Sequence, residues 1–247
     1  MDLKLSGKRA IVAASTKGLG FATARALLAE GCTIVINGRD AATLSEAATR
    51  LPGAIPVVGD VSSPHGASAF IDTAADALGG IDILVTNAGG PPVGNFASTP
   101  LASYAPAIDL NLMSIVAMCQ RAVPYMQAQG WGRIVAITSY SVRQPIANLI
   151  LSNTARAGAT AFLKTLALEI AGDGITVNSV QPGLHATQRL TSIYGDDLTN
   201  VARDVPTGVL GDPGDFGAIV TFLCSDQAKF VTGSALAVEG GAYKGLL

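Results

Sequence analysis

The sequence predicts one α/β domain, over residues 1–247, built on a doubly wound parallel sheet with helices on both faces. Two observations predict it. Short β-branched apolar runs alternate with longer helical stretches along the whole chain, and such alternation is typical of a parallel sheet. The runs are also apolar throughout, as strands covered on both faces are. A ligand site is therefore expected beyond the carboxyl ends of the strands.

Seven short runs predict the strands, because each is rich in Val, Ile and Leu and is bounded by glycine or polar residues. They cover residues 9–13, 33–37, 55–59, 81–86, 133–138, 175–180 and 235–238.

Six longer segments between these runs predict helices, at residues 18–30, 41–51, 64–78, 101–129, 148–171 and 212–225. Gly31 follows the first of them at the position of a C-cap, and Pro64 opens the third, where proline is favoured. Pro124 is expected to bend the fourth. The polar stretch at about 184–210 follows the sixth strand on the ligand side, and a loop of this length is usually functional. We therefore predict a substrate loop or lid there.

Composition and charge exclude several classes of protein. A net charge of −2 with 14% charged residues argues against a general nucleic-acid binder. The three cysteines are widely spaced, lack metal-ligand spacing and indicate a reducing compartment. The start of the chain lacks the apolar core of a signal peptide, and no run approaches the about 18 apolar residues of a membrane span. We expect a cytoplasmic protein that binds a small molecule and no metal, nucleic acid or membrane.

The turn after the first strand predicts a phosphate site. Residues 13–20 read AASTKGLG, and Gly18 and Gly20 fall at the start of the next helix. The free backbone N–H groups and the positive dipole end of a helix favour a phosphate there. Glycine lacks the Cβ atom that would block its close approach.

Six motifs, in the right order, resemble those of the short-chain dehydrogenase/reductase family over nearly the whole chain. They are the glycine turn, with Ala13-Ala14 where the family has Thr-Gly; Asp60-Val61; Asn87-Ala88-Gly89; Asn111; Val177-Asn178 with Gln181-Pro182-Gly183 and Thr187; and the C-terminal segments Val231-Thr232-Gly233 and Val238-Glu239-Gly240-Gly241. The resemblance implies a seven-stranded Rossmann-type domain and an oxidoreductase similar to 3-oxoacyl carrier-protein reductases. It also implies a homo-oligomer, a tetramer or a dimer.

The resemblance implies a dinucleotide site along the strand ends. The residues expected to contact the cofactor are Ser15, Thr16, Lys17, Gly18, Leu19, Gly20, Asn37, Arg39, Asp60, Val61, Asn87, Ala88, Gly89, Arg156, Pro182, Gly183 and Thr187. An acidic residue at the end of the second strand would bind the ribose 2′-hydroxyl and repel a 2′-phosphate. That place holds Asn37, and the cations Lys17 and Arg39 lie near it in the family's arrangement. Because two cations suit a 2′-phosphate, we predict NADP(H) over NAD(H).

The catalytic positions depart from the family's pattern of Asn, Ser and Tyr-x-x-x-Lys. Asn111 and Ser139 match the first two, whereas the family's usual spacing leads to Ser152 and Arg156 in place of Tyr and Lys. A phenol can be tuned towards neutrality by a cation and an aliphatic hydroxyl cannot, so Ser152 is a poor general acid. Arg156 can still donate to ribose hydroxyls. Tyr140 is a spare phenol that either supplies a proton or packs in the pocket.

Three interpretations remain open. The chain is a divergent NADPH-dependent carbonyl reductase whose proton comes from water, the substrate or another residue. Alternatively, it reduces an activated C=C bond or a quinone-like substrate, as in the dienoyl-CoA reductase branch, which also has Ser at the Tyr position but keeps the Lys. In the third interpretation it is an NADP(H)-binding sensor or scaffold without dehydrogenase activity.

Overall fold

A computed structural model, which describes residues 1–246, contains a sheet of seven parallel strands. The strands are β1 (Arg9–Val12), β2 (Thr33–Gly38), β3 (Ile55–Val58), β4 (Ile83–Thr86), β5 (Gly132–Ile137), β6 (Ile175–Pro182) and β7 (Ala235–Val238). Their order in the sheet is β3-β2-β1-β4-β5-β6-β7. The predicted doubly wound fold is confirmed. Position 247, the last of the predicted domain, lies outside the described residues.

Nine α-helices connect the strands in residues 1–246. They are α1 (Gly18–Ala29), α2 (Ala41–Arg50), α3 (Pro64–Leu78), α4 (Tyr104–Ile108), α5 (Ser114–Gln129), α6 (Ile150–Ile170), α7 (Gln188–Tyr194), α8 (Thr199–Arg203) and α9 (Pro213–Leu223). Local chemistry fixes several of their starts. The side chains of Asp40, Ser63 and Asp212 accept backbone N–H groups at the N-termini of α2, α3 and α9.

Each face of the sheet has its own apolar core. In β1, Ile11 belongs to the core under α3, α5 and α6, whereas the next residue, Val12, belongs to the core under α1 and α9. Both side chains are fully buried. Since successive residues of a strand point to opposite faces, a strand covered on both sides must be apolar throughout.

The strand order reverses at β1, which pairs with β2 on one side and with β4 on the other. The chain leaves β1 and β4 in opposite directions, so a crevice opens between their carboxyl ends. The glycine turn follows β1 and Asn87 follows β4, which brings both predicted motifs to this crevice.

Two regions differ from the sequence-based predictions. The lid predicted as an irregular loop at about 184–210 contains α7 and α8, helices of seven and five residues. The long helical region at 101–129 is interrupted by a π-helical turn at Asp109–Met113, ahead of Pro124. Leu101–Gln129 is long and apolar enough to cross a membrane by length and composition alone, a test that core helices also pass. Met118, Cys119 and Met126 on this stretch are buried in the core.

Candidate active site

In the glycine turn, residues 13–20, the start of α1 packs closely against the backbone that follows β1. A Cβ atom on Gly20 would lie 2.6 Å from the carbonyl oxygen of Ala14 and 2.7 Å from Nδ2 of Asn87. Gly18 has a φ of +60°, in the left-handed region that favours glycine. Ala14 stands where the family has its first glycine, and it takes the same region with a φ of 45°. Ala14 therefore adopts the left-handed backbone conformation that a glycine would favour at this position.

Two buried polar side chains hold this turn in place. The Asn37 Oδ1 atom accepts the N–H of Ala14 at 3.1 Å, and its Nδ2 atom donates to the carbonyl oxygens of Gly59 at 3.0 Å and Val57 at 3.2 Å. The Ser15 hydroxyl donates to the carbonyl of Val12 and accepts the N–H of Asn37. These side chains cross-link the ends of β1, β2 and β3, a structural role that the sequence did not reveal. Their contact with a cofactor stays a prediction.

Two cations, Lys17 and Arg39, lie near the end of β2, together with the carboxylate of Asp40. Lys17 and Arg39 are exposed, and neither forms an ion pair within residues 1–246. The neighbouring carboxylate of Asp40 caps α2 by accepting the N–H of Thr43 at 2.8 Å. After β3, the Asp60 carboxylate accepts the N–H of Ser62, and Val61 is buried.

The lid approaches the glycine turn at Thr187. The methyl group of Thr187, the N-cap of α7, lies 3.8 Å from the position that a Cβ atom on Gly18 would take. Gly183 donates its N–H to the carbonyl of Val238, and a Cβ atom on it would lie 2.6 Å from Glu239. Pro182 pairs with Val238 at the end of the sheet. Residues predicted at the two ends of the cofactor thus border one crevice.

Asn111 lies fully buried in the π-helical turn. Its Nδ2 atom donates to the carbonyl of Gly89 at 3.0 Å, and its Oδ1 atom has no partner within residues 1–246. The Ser139 hydroxyl accepts the N–H of Ser141 at 3.2 Å. Ser152 is half-buried in the first turn of α6. π-Helical turns are frequent at functional sites, which fits the catalytic role predicted for Asn111.

Arg156 is a buried guanidinium without a carboxylate partner. Its side chain lies on α6, the residue is 7% exposed, and Nη1 donates to the carbonyl of Ile137 at 3.0 Å. No ion pair within residues 1–246 includes it. Burial, followed by the like charge of Arg189, lowers the pKa of Arg156 to about 10. The side chain therefore stays charged at neutral pH and contributes an uncompensated positive field.

The spare phenol is poorly placed to release a proton. Burial raises the pKa of Tyr140, and Tyr194 and Glu239 raise it further. The phenol therefore remains protonated near neutral pH.

Several buried polar atoms near the strand ends lack a partner among the described residues. They are Thr86 Oγ1, Asn111 Oδ1, Ser141 Oγ, Asn153 Oδ1 and both amide atoms of Gln181. Buried polar groups are normally hydrogen-bonded, so these atoms suit a polar molecule in the crevice. Together with the glycine turn and the cations Lys17, Arg39 and Arg156, they fit a dinucleotide phosphate cofactor. No cluster of three or more metal-ligating side chains occurs in residues 1–246.

The fold and this crevice define a dinucleotide-binding α/β protein of the Rossmann type. Residues 13–243 match the family described as enoyl-(acyl carrier protein) reductase. The chain is 33% identical over 245 residues to dehydrogenase/reductase SDR family member 4 of Oryctolagus cuniculus, covering 96% of this chain and 94% of that protein. It is 30% identical over 249 residues to the 3-oxoacyl-(acyl-carrier-protein) reductase FabG of Aquifex aeolicus, covering 98% of this chain and 100% of that protein.

A solved structure shows the same likeness. The L-sorbose reductase of Gluconobacter frateurii, complexed with NADPH and L-sorbose, is similar with a TM-score of 0.93 and 33% identity, over 100% of both chains. The chain therefore belongs to the short-chain dehydrogenase/reductase family of oxidoreductases, and the resemblance predicted from the sequence motifs is confirmed.

Proposed function

We propose that the protein is an NADP(H)-dependent oxidoreductase in which Ser152 and Arg156 stand in place of the family's Tyr and Lys. The observation that carries the cofactor preference is the pair of exposed cations, Lys17 and Arg39, which have no ion-pair partner within residues 1–246. Asn37 on β2 has an amide at the position where a carboxylate would repel a 2′-phosphate. The NADPH bound by the similar L-sorbose reductase supports the same preference.

Each part of the crevice would hold one part of the cofactor. The turn at residues 15–20 presents its free N–H groups to the diphosphate. Asp60 and Val61 border the adenine, and Asn87, Ala88 and Gly89 border the riboses. Arg156 donates to the nicotinamide ribose, and Pro182, Gly183 and Thr187 hold the carboxamide end. When bound, the nicotinamide supplies or accepts a hydride.

The side chains around the reacting atom supply hydrogen bonds and charge. Ser139 and Ser152 donate to the substrate oxygen, and Asn111 holds the Gly89 carbonyl and orders the polar groups behind the site. The charge of Arg156 stabilises negative charge that develops on the oxygen. Since neither serine is acidic, the proton comes from solvent or from the substrate, with Tyr140 as a weaker third source.

Reduction of an activated C=C bond is the second candidate, and one observation favours it. The site has a buried cation, Arg156, but among residues 1–246 we find no near-neutral acid beside it, because Ser152 does not ionise and the pKa of Tyr140 is raised. Hydride addition to a conjugated C=C bond gives an enolate, which a cation stabilises and which water protonates later. Hydride addition to a ketone gives a far more basic alkoxide, which needs a proton donor at once.

Binding measurements test the cofactor proposal first. Affinities for NADPH and NADH are measured for the wild type, for Arg39→Ala and for a control, Arg25→Ala. The control removes an exposed positive charge from α1. We expect NADPH to bind more tightly than NADH, and Arg39→Ala to weaken NADPH binding by about tenfold or more, since one charge-assisted contact contributes about 1.5–3 kcal/mol. Arg39→Ala should leave the affinity for NADH unchanged, and Arg25→Ala should leave the affinities for both nucleotides unchanged. Tighter binding of NADH would refute the preference.

Turnover measurements then separate the reactions. Oxidation of NADPH is followed with ketone, conjugated enone and quinone panels. Activity on ketones supports the first candidate and activity on enones or quinones supports the second. Tight NADPH binding without turnover on any panel would refute both and favour a sensor or scaffold.

We also propose a cytoplasmic homo-oligomer, a tetramer or a dimer. Phe222 of α9 and Leu236 of the edge strand β7 are large apolar side chains exposed beside each other, and they line a shallow groove. Exposed apolar surface on an edge strand favours pairing with another chain. Light scattering on the purified protein checks this, and a monomer at all concentrations would refute it.

A further inference from the structure

Two arginine side chains lie above the carboxyl ends of neighbouring strands. Arg156 reaches the end of β5 from α6 by donating to the carbonyl of Ile137. Arg189, in the first turn of α7, reaches the segment after β4, where Nη2 donates to the carbonyl of Pro91 at 3.0 Å. Strands β4 and β5 are hydrogen-bonded neighbours in the sheet. The two guanidinium groups therefore border the same part of the crevice.

Gly90 allows Arg189 to come this close. A Cβ atom on Gly90 would lie 2.9 Å from Nη2 and 3.2 Å from both Cζ and Nε of Arg189. The guanidinium is thus packed flat along the backbone after β4, beside Gly89, whose carbonyl Asn111 holds. A side chain at position 90 would displace it.

Neither guanidinium forms an ion pair with a carboxylate of residues 1–246. The four ion pairs within residues 1–246 are Lys4–Asp2, Arg9–Asp82, Arg121–Asp72 and Arg133–Asp226. Each of the two groups has five N–H donors and uses one on a described partner. The field of Arg189 also reaches Arg156, because it lowers the pKa of Arg156 after the larger effect of burial.

The carboxylate of Glu239, after β7, has a described partner of its own. Glu239 lies beside Gly183, and its carboxylate accepts the N–H of Tyr243 at 2.9 Å. Its charge raises the pKa of Tyr140. Arg156 is buried and Arg189 is exposed, and an anion between them would offset their mutual repulsion and accept hydrogen bonds from their remaining N–H groups.

We propose that Arg189, supported by the charge of Arg156, holds a carboxylate of the substrate, so that the substrate class is a small oxo acid or unsaturated acid. This inference rests on the proposed function, because it places the acid beside the expected position of the nicotinamide. The other anion within reach is the cofactor's own diphosphate, since Thr187 lies against Gly18 only two residues before Arg189. The experiment must distinguish these two sources.

Matched acid and ester pairs make that distinction. Dissociation constants of benzoylformate and cinnamate, and of their methyl esters, are measured by calorimetry on protein saturated with NADP⁺. The variants are Arg189→Gln, Arg189→Lys and the control Arg25→Gln, which removes an equal charge from an exposed position on α1, outside the lid. We expect at least one acid to bind tenfold or more tightly than its ester. Arg189→Gln should reduce that ratio to about one, Arg189→Lys should keep part of it, and Arg25→Gln should leave it unchanged.

Each alternative has its own result. Equal binding of acid and ester to the wild type, or no measurable binding of either acid, overturns the inference. Weaker NADP⁺ binding in Arg189→Gln with an unchanged acid-to-ester ratio assigns the arginine to the diphosphate and also overturns it. An equal loss for acid and ester shows that Arg189 only ties the lid to Pro91. If NADP⁺ does not bind the wild type, the proposed function fails instead, and the acid-to-ester ratio is measured on nucleotide-free protein to decide the inference separately.

Discussion

Replacing Arg156 with methionine is expected to stabilise the fold and to weaken the nucleotide site. The guanidinium is 7% exposed, has one hydrogen bond and has no ion-pair partner within residues 1–246. A buried charge without compensation costs free energy of folding, and a residue retained at such a cost is typical of a functional site. Methionine fills a similar length of the cavity without the charge.

The pKa of Arg156 gives the size of the effect. The fall of its pKa to about 10 corresponds to roughly 3 kcal/mol of unfavourable charge burial, at about 1.4 kcal/mol for each pKa unit. The variant loses the hydrogen bond to the Ile137 carbonyl, which costs about 1–2 kcal/mol. The net gain in the free energy of unfolding is about 1–2 kcal/mol. For a domain of this size that corresponds to a rise of roughly 2–6 °C in Tm.

Arg133→Met is the matched control. Arg133 is 2% exposed, but its Nη2 atom lies 3.5 Å from Oδ1 of Asp226 and its Nε atom donates to the carbonyl of Ser225. Its guanidinium also stacks on Trp131, 4.3 Å from the ring centroid. Burial lowers the pKa of Arg133 as well, but these contacts offset part of that cost, so removing the side chain should destabilise the fold by about 1–3 kcal/mol.

Thermal unfolding of both variants, with and without NADPH, measures the contrast. Without nucleotide, we expect the Tm of the Arg156→Met variant to lie above that of the wild type. When NADPH is added, its Tm should rise by less than that of the wild type. Direct titration should show NADPH binding weakened by about tenfold, the equivalent of one hydrogen bond to a charged donor. An Arg156→Met variant that melts as low as the Arg133→Met variant would refute the reasoning, because Arg156 would then be a structural residue.

Three further changes test separate parts of the structure. Ala14→Gly should raise Tm by a few degrees, because the left-handed φ costs alanine about 1–2 kcal/mol and the extra unfolded-state entropy of glycine offsets about half of that; an unchanged or lower Tm in calorimetry would contradict this. Burial lowers the pKa of His185, so its contribution to stability is full above about pH 6.5 and is lost as the pH falls through the folded-state pKa. The His185→Gln variant should therefore show a smaller loss of stability on acidification in urea unfolding, and the same loss as the wild type would argue against it. The double change Ser152→Tyr with Arg156→Lys should raise ketone reduction by about tenfold or more, because a positioned acid contributes roughly 10²–10⁴-fold; no gain in NADPH oxidation would count against descent from a ketone reductase.

The core of the fold follows from local signals in the sequence. The predicted helix at 64–78 and strand at 235–238 agree with the structure at both ends. In the helix, Pro64 occupies the first turn and Gly79, with a φ of 70°, forms the left-handed C-cap. These residues fix the boundaries by their own backbone preferences, so no tertiary information was needed.

The lid helices and the role of Asn37 depend on contacts that no local pattern contains. Helices α7 and α8 are too short to be stable alone, and Leu190 of α7 is the buried anchor that tertiary packing supplies. The Asn37 amide gains its hydrogen bonds from Ala14, Val57 and Gly59, which lie about 20 residues away on either side. The sequence marked Asn37 only by its position after the second strand, so its cross-linking role was visible only in the structure.

The charge balance of the site limits the chemistry under the proposed function. Arg156 is a permanent cation near neutral pH, whereas Ser152 does not ionise and Tyr140 holds its proton. The positive charge of Arg156 can therefore stabilise negative charge on a reacting oxygen, but neither Ser152 nor Tyr140 neutralises that oxygen by rapid proton transfer. An enolate survives under these conditions and an alkoxide reverts to the ketone by returning the hydride. Conjugation with a ketone, aldehyde or ester carbonyl spreads that charge, so a C=C bond conjugated to such a carbonyl suits the chemistry of this site better than a simple ketone. An ionised carboxylate held by Arg189 would orient the substrate and would not accept the charge.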